Sequence, residues 1–176
     1  MGGCREVVLP VSDLSDLCVG DRVSFRGNIL CGRDAVLPEM CALIGEDRLA
    51  ELDASFAGAA VLHTAVSCAG IGPTSSNKVE IEESFGPLCE AGVKVFLGKG
   101  EIRRETVDLL GRYGAVFAVV PPVTALLGKG MRSKRCVAFP ELGMEALYEV
   151  ELDECPAIVA AAHGESLFDR GAKHGE

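Results

Sequence analysis

The chain has 176 residues, a length that suits one domain with a sizeable core. Hydrophobic residues make up 48% of the sequence and aromatic residues only 5%, which predicts a core of Val, Leu, Ile and Ala in an α/β protein with a partly parallel sheet. A formal net charge of −9 argues against a nucleic-acid partner, because phosphates require a basic surface.

The N-terminus lacks the basic segment and apolar run of a secretory signal, and no apolar stretch approaches the length that crosses a bilayer. We therefore expect a cytoplasmic protein with no membrane partner. Residues 1–170 are predicted to form a single domain, and residues 171–176 a polar C-terminal tail.

The predicted elements alternate between strand and helix in the middle of the chain, which indicates right-handed βαβ units, while β-rich ends indicate an additional non-parallel layer. In chain order, the prediction comprises strands at 7–10 and 22–26, a helix beginning at Pro38, strand 59–63, helix 79–90, strand 93–97, helix 102–113, strand 115–120, a short helix at 124–127, the segment 135–139, and strands 147–152 and 157–161.

A polar loop between a predicted strand and a predicted helix is the most informative segment. It has a Gly-Pro turn followed by Thr74, Ser75, Ser76, Asn77 and Lys78. A hydroxyl-rich turn entering a helix offers side-chain donors, free N–H groups and the positive end of the helix dipole, so it predicts an anion site. The spacing of Asn77 and Glu80 also fits a capping box, but three hydroxyls and a Lys exceed what a cap requires.

Three cationic residues follow predicted strands: Arg33, Lys78 and Lys99. Ligands of open α/β sheets bind outside the carboxyl ends of the strands, and Arg and Lys are suited to carboxylates. A lone cation is more often a solvated surface charge. The glycines around Lys99 and the hydroxyls before Lys78 favour a functional role for those two, while Asp34 either orients Arg33 or caps the following helix.

The remaining candidate groups give weaker signals. The eight cysteines are at least ten residues apart and form no Cys-x-x-Cys, so we predict no metal site in this chain. Cys31 and Cys68 are singled out because they lie next to polar motifs. His63 is predicted to be a packed histidine rather than a catalytic base, and Lys129, between two glycines, to belong to a flexible basic loop.

Five motifs together resemble the β subunit, equivalent to the C-terminal domain, of iron–sulfur-dependent class I fumarate hydratases and L(+)-tartrate dehydratases. The motifs are Val19-Gly20-Asp21-Arg22-Val23 with Gly27, Gly32-Arg33-Asp34, Gly72-Pro73-Thr74 to Lys78, Gly98-Lys99-Gly100 and Pro140-Glu141-Leu142-Gly143-Met144-Glu145-Ala146. Each motif is weak alone, but five in the family's order are specific and cover nearly the whole chain.

The resemblance implies a swivelling β/β/α three-layer domain, with residues 1–170 as the catalytic domain. It also implies a partner α subunit that carries the 4Fe-4S cluster, in a heterodimer or an α2β2 assembly, and a small dicarboxylate substrate. Carried over by position, Thr74 would be the catalytic base, and Arg33, Ser75, Lys78 and Lys99 would bind the substrate. Two positions depart from the family: Leu37 replaces a His, and Lys78 stands where many members have Arg.

The expected function is therefore the reversible hydration/dehydration that forms a small 2-hydroxy dicarboxylate. Fumarate to malate is the first candidate reaction, and the chain is expected to be active only with an α subunit. Three alternatives stay open. They are a tartrate dehydratase β subunit, a stand-alone anion- or phosphate-binding module, and a structural homologue that assembles with the α subunit without activity.

Overall fold

A computed structural model describes residues 3–75, 78–121 and 129–170 of the chain. The strands are β1 Arg5–Val8, β2 Arg22–Cys31, β3 Ala60–Leu62, β4 Thr64–Ser67, β5 Gly70–Thr74, β6 Val95–Gly98, β7 Val116–Val119, β8 Met131–Ala138, β9 Leu147–Ala162 and β10 Glu165–Ser166. The α-helices are α1 Val36–Gly45, α2 Lys78–Glu83, α3 Phe85–Glu90 and α4 Arg104–Tyr113.

The central sheet is mostly parallel and closes on itself. Strands β2, β3, β6 and β7 lie side by side and run parallel. The long strand β9 pairs antiparallel with both β7 and β2, so it joins the two ends of the parallel group. Strand β1 extends β2 in parallel, while β8 and β10 pair antiparallel with β9. These pairings confirm the predicted α/β fold with a partly parallel sheet.

Two hydrophobic cores lie on the two sides of the parallel strands. The inner core lies within the closed sheet and includes Phe25, Leu62 and Val150. The outer core lies between the sheet and the helices and includes Met40 of α1, Phe85 of α3, Phe96 of β6 and Leu110 of α4. Neighbouring residues of one strand point to opposite faces, so β3 and β6 contribute to both cores, as their uninterrupted apolar sequences require.

The predicted helix over residues 79–90 is divided into α2 and α3 at Ser84. Pro87 has no N–H to donate to the carbonyl of Glu83, so a continuous helical ladder cannot pass through this point. The Ser84 hydroxyl instead donates to the carbonyl of Ile81 at 2.6 Å. The predicted apolar stripe survives the break, because Ile81 and Phe85 are both buried.

The two strands predicted at 147–152 and 157–161 are one strand of 16 residues, β9. Within the described residues, β8 pairs with β9 as far as Leu152, and β7 pairs with it from Ile158 onward. Pro156 lies between these two pairings on that edge. On the other edge β2 pairs with β9 through this point, with Ser24 opposite Pro156, so the strand continues.

Two further predictions, the short helix at 124–127 and the tail at 171–176, lie outside the described residues. In the part of the chain that is described, no helix has the length and apolar character needed to cross a bilayer.

The bend in β2 gives a test of the fold. Gly27 has a φ of +120°, and an added Cβ would lie 2.8 Å from the carbonyl oxygen of Leu9. We expect Gly27→Ala to lower the free energy of unfolding by about 2–4 kcal/mol, because backbone strain and a clash with the main chain add together.

Gly20 provides the matched control for urea unfolding of the Gly27 variant. Its φ is +95°, but no atom lies within 4 Å of an added Cβ. Gly20→Ala should therefore show the cost of the positive φ alone, about 1 kcal/mol. Equal losses for the two variants would contradict a role for the contact between β2 and Leu9.

Candidate active site

The predicted binding residues follow three neighbouring parallel strands. Cys31 at the end of β2 pairs with Leu62 at the end of β3, and Leu62 pairs with Leu97 near the end of β6. Arg33 and Lys99 come directly after the first and third of these strands. Since adjacent strands are about 4.8 Å apart, the loops after β2, β3 and β6 begin at one edge of the sheet. This is the carboxyl end of the parallel strands, where open α/β sheets and closed parallel barrels alike bind their ligands.

The β4–β5 hairpin returns the hydroxyl-rich segment to the same edge. Thr74 pairs with Thr64 across the hairpin, and the N–H of Ser75 donates to the carbonyl of His63 at 2.8 Å. The buried Thr64 hydroxyl donates to the carbonyl of Gly72 at 2.7 Å and keeps the two strands in register. Thr74 and Ser75 are therefore positioned where β3 ends.

Arg33 is half-buried and lies between two carboxylates. Its Nε atom is 2.9 Å from Oε1 of Glu145, and its Nη2 atom is 3.8 Å from Oδ2 of Asp34. The Nε–H bond is buried but does not point at an acceptor among the described residues, so charge rather than a directed hydrogen bond holds the Glu145 pair. Glu145 ends the 3₁₀ turn Pro140–Glu145, which explains why that motif accompanies Arg33.

Asp34 connects Arg33 to the hydroxyl loop. The Ser75 hydroxyl donates to Oδ1 of Asp34 at 3.0 Å. Asp34 makes no side-chain cap bond to α1, whose N-cap is Ala35, so of the two roles predicted for it the capping one is wrong. Arg33, Asp34 and Ser75 thus form one bonded chain across the end of β2.

A narrow cleft of about 20 Å³, open to solvent and with room for one small group, lies beside these residues. Its polar walls are His63, Ser75, Glu82, Lys99 and Glu101, and its apolar walls include Ile81, Phe85, Ile102 and Phe117. Ser75 and Lys99, two of the predicted binding residues, therefore line the cleft. Arg33 and Thr74 are not wall residues, but both adjoin Ser75 or its partner Asp34.

Glu82 fastens the helical side of the cleft. This carboxylate is buried and accepts hydrogen bonds from the N–H of Arg103 at 3.0 Å and from the Thr106 hydroxyl. Arg103 is the N-cap residue of α4, whose first N–H groups have no partner within the helix. Glu82 thereby ties α2 to the start of α4 and fixes the wall opposite Ser75.

His63 is the site residue whose role the sequence did not reveal. As predicted, it is packed: it is 2% exposed and stacks on Phe85 with ring centroids 5.3 Å apart. Its Nδ1 lies 3.1 Å from the carbonyl of Leu97. Because a carbonyl only accepts, Nδ1 carries the proton, and Nε2 is left as an acceptor.

Nε2 of His63 is buried and has no hydrogen-bond partner among the described residues. Leaving such an acceptor unsatisfied costs about 1–3 kcal/mol. Burial lowers the pKa of His63 from 6.5 to about 4, although the Leu97 carbonyl and the charge of Asp34 act to raise it. The ring is therefore neutral at pH 7 and suited to accepting a hydrogen bond rather than to holding a proton.

Comparison with known proteins gives the family of the chain. Residues 6–171 match the family described as the fumarase C-terminus. The chain belongs to this family. The resemblance predicted from the five motifs is therefore confirmed.

The similar proteins include long fumarate hydratases and a short putative tartrate dehydratase subunit. The anaerobic class I fumarate hydratase of Escherichia coli is 26% identical over 85% of this chain, and fumarate hydratase 2 of Leishmania major is 27% identical over 89%. This chain spans only 28% and 29% of the lengths of those two proteins. A putative L(+)-tartrate dehydratase subunit beta of Methanocaldococcus jannaschii is 30% identical over 92% of this chain and 88% of its own length.

Part of the hydroxyl-rich loop, the segment from Thr74 to Lys78, lies outside the residues that the structure describes. The backbone of Lys78 begins α2, but its side chain lies outside the described residues, as do Ser76 and Asn77. The substrate-binding role of Lys78 and the cap by Asn77 therefore stay predictions.

The thiols of this family member do not form a cluster site in the described ranges. Burial raises the pKa of Cys31, and raises that of Cys155 to about 12, so both stay protonated at neutral pH. Cys68 is exposed in the β4–β5 turn. Within the described residues, no group of three or more His, Cys, Asp or Glu side chains is arranged to hold a metal ion. These side chains do not fit a 4Fe-4S cluster, whose ligands are thiolates.

The buried imidazole predicts a pH-dependent stability. Between pH 4 and 6.5 the unfolded chain binds a proton at His63 that the folded chain does not bind. The stability from this group is present above pH 6.5 and is lost as the pH falls towards 4. From pH 7.5 to 5.5 it should contribute a loss of about 1 kcal/mol.

Urea unfolding of the wild type and of His63→Phe at the two pH values measures this difference. Phe keeps the stacking on Phe85 but cannot titrate, so the variant should lose less stability between pH 7.5 and 5.5. Identical losses in both proteins would show that His63 is not held neutral by burial.

Proposed function

We propose that this chain is the β-type part of a hydro-lyase that reversibly removes water from a small 2-hydroxy dicarboxylate, or adds water to the corresponding unsaturated acid. Fumarate and malate are the first candidates. A cluster-bearing α-type partner completes the site in the cytoplasm. The proposal is supported above all by the shared edge of the sheet, where Arg33, Lys99 and the Thr74–Ser75 segment follow neighbouring strand ends.

Binding of a dicarboxylate uses the two cationic loops separately. Lys99 offers a compact charge in the cleft, which Ser75 also lines. Arg33 lies between Glu145 at Nε and Asp34 near Nη2, and a substrate carboxylate would bind the terminal N–H groups of its guanidinium. Two cations on different strands suit an acid with two carboxylates better than a single anion.

Thr74 is proposed as the base that takes the proton from the carbon next to a carboxylate. An alcohol oxygen is a poor base in water because the pKa of a threonine hydroxyl lies far above neutrality. Cations beside a site that excludes water favour its alkoxide form, and an acidic group of the partner would receive the proton from it. When present on the partner, the cluster supplies a Lewis acid for the hydroxyl that leaves.

A tartrate dehydratase β subunit is the second candidate. A separate observation favours it: the match to the Methanocaldococcus jannaschii protein covers 88% of that protein, whereas the fumarate hydratases are more than three times longer than the matched region. Assays with both acids on the same assembly separate the two candidates.

The first test is anaerobic reconstitution of the chain with the cluster-bearing α-type subunit from the same genome. We expect no activity from the chain alone and hydration of fumarate by the assembly, followed as the loss of ultraviolet absorbance. Activity with tartrate instead would select the second candidate. No activity with fumarate, malate or tartrate would reject the proposal, and phosphate binding by the chain alone in a thermal-shift assay would favour an anion-binding module.

The second test concerns Thr74 in the reconstituted enzyme. A base acts in the transition state, so Thr74→Ala should lower kcat by about 10²–10⁴-fold and change KM little. Thr74→Ser keeps a hydroxyl at this position and should recover part of the turnover. If Ala changes kcat and KM by the same factor, Thr74 is a binding residue rather than the base.

A further inference from the structure

The cleft contains an acceptor where a dicarboxylate site needs only donors. Lys99 presents donors alone, as suits a carboxylate. The neighbouring ring of His63 has its Nδ1–H occupied by the Leu97 carbonyl, and its Nε2 lone pair has no partner among the described residues. A carboxylate oxygen placed against this nitrogen would bring two lone pairs together. A hydroxyl placed there would donate to it.

We propose that His63 is a specificity-determining residue that accepts a hydrogen bond from a hydroxyl group of the acid bound in the cleft. The inference rests on the proposed function and deepens it: the site recognises a hydroxy acid as such, and not only its carboxylates. Two features of the wall support it.

First, the orientation of the imidazole is fixed before any ligand arrives. The ring is stacked at 11° to Phe85 and 11° to Phe96, and the hydrogen bond to Leu97 selects one tautomer. An acceptor that cannot turn away discriminates strongly, because a ligand without a matching donor leaves it unpaired.

Second, a cation and a hydroxyl, Lys99 and Ser75, line the cleft with His63, together with the carboxylates of Glu82 and Glu101. The Ser75 hydroxyl is already bonded to Asp34, and Lys99 follows the strand that also supplies the Leu97 carbonyl. The free space of about 20 Å³ beside these groups admits one hydroxyl-sized group, so the acid would enter the cleft with its hydroxyl towards the imidazole. The pKa of about 4 keeps His63 neutral, so the acceptor persists at neutral pH.

The test compares two acids that differ by one hydroxyl in the reconstituted enzyme. The inhibition constants of L-malate and of succinate are measured against fumarate hydration, or those of tartrate and succinate if tartrate is the substrate. His63→Phe should weaken the hydroxy acid about tenfold relative to succinate, the value of one hydrogen bond. His63→Gln, which retains an acceptor oxygen, should recover part of the preference.

Ile102→Val is the matched control, since Ile102 also lines the cleft but has no polar atom. Ile102→Val should change the inhibition constants of both acids by the same factor. Suppose the wild-type assembly is active, and His63→Phe changes the inhibition constants of both acids by the same factor or changes neither. That result overturns the role of His63 and leaves the proposed function standing. A wild-type assembly that is inactive with fumarate, malate and tartrate rejects both.

Discussion

The register of three parallel strands is the constraint on which the site depends. Because β2, β3 and β6 end level with one another, the short loops that follow them begin side by side. β9 maintains this alignment by pairing with β2 along nearly its whole length and with β7 at the other end of the parallel group. A one-residue slip would exchange the inner and outer faces and place Leu62 and Phe96 in the wrong cores.

Polar groups buried at the strand ends convert this alignment into a shaped cleft. The Thr64 hydroxyl anchors the hairpin, Glu82 secures α4 against α2, and Asp34 positions Ser75. Each of these side chains satisfies backbone or hydroxyl groups that would otherwise be unpaired near the protein interior. His63 and Arg33 differ, since Nε2 of His63 and Nε of Arg33 are buried without a hydrogen-bond partner in the described part of the chain. Unsatisfied groups of this kind are tolerated where a ligand can satisfy them.

Local sequence signals were sufficient to place Arg33 and Lys99, because a strand followed by glycine and a cation is visible within a few residues. The same local signals did not predict features that depend on contacts between residues far apart in the sequence. β9 continues through Pro156 alongside β2, which is distant in the sequence, and the Arg33–Glu145 pair joins two separate motifs. The tautomer of His63 depends on the Leu97 carbonyl of β6. The sequence therefore predicted a packed histidine but could not predict that Nε2 is the acceptor.

The charges at the site support the proposal that a partner completes it. Arg33 is paired with Glu145 and lies near Asp34, and Lys99 shares its cleft with Glu82 and Glu101. Among the described residues, the acids around these two cations therefore offset them, and the whole chain carries a net charge of −9. A dianion approaching the isolated chain gains little from steering in water, where such charges are screened. A protein surface closing over this edge would exclude water and strengthen the short-range attraction to both cations, so substrate binding and assembly would reinforce each other.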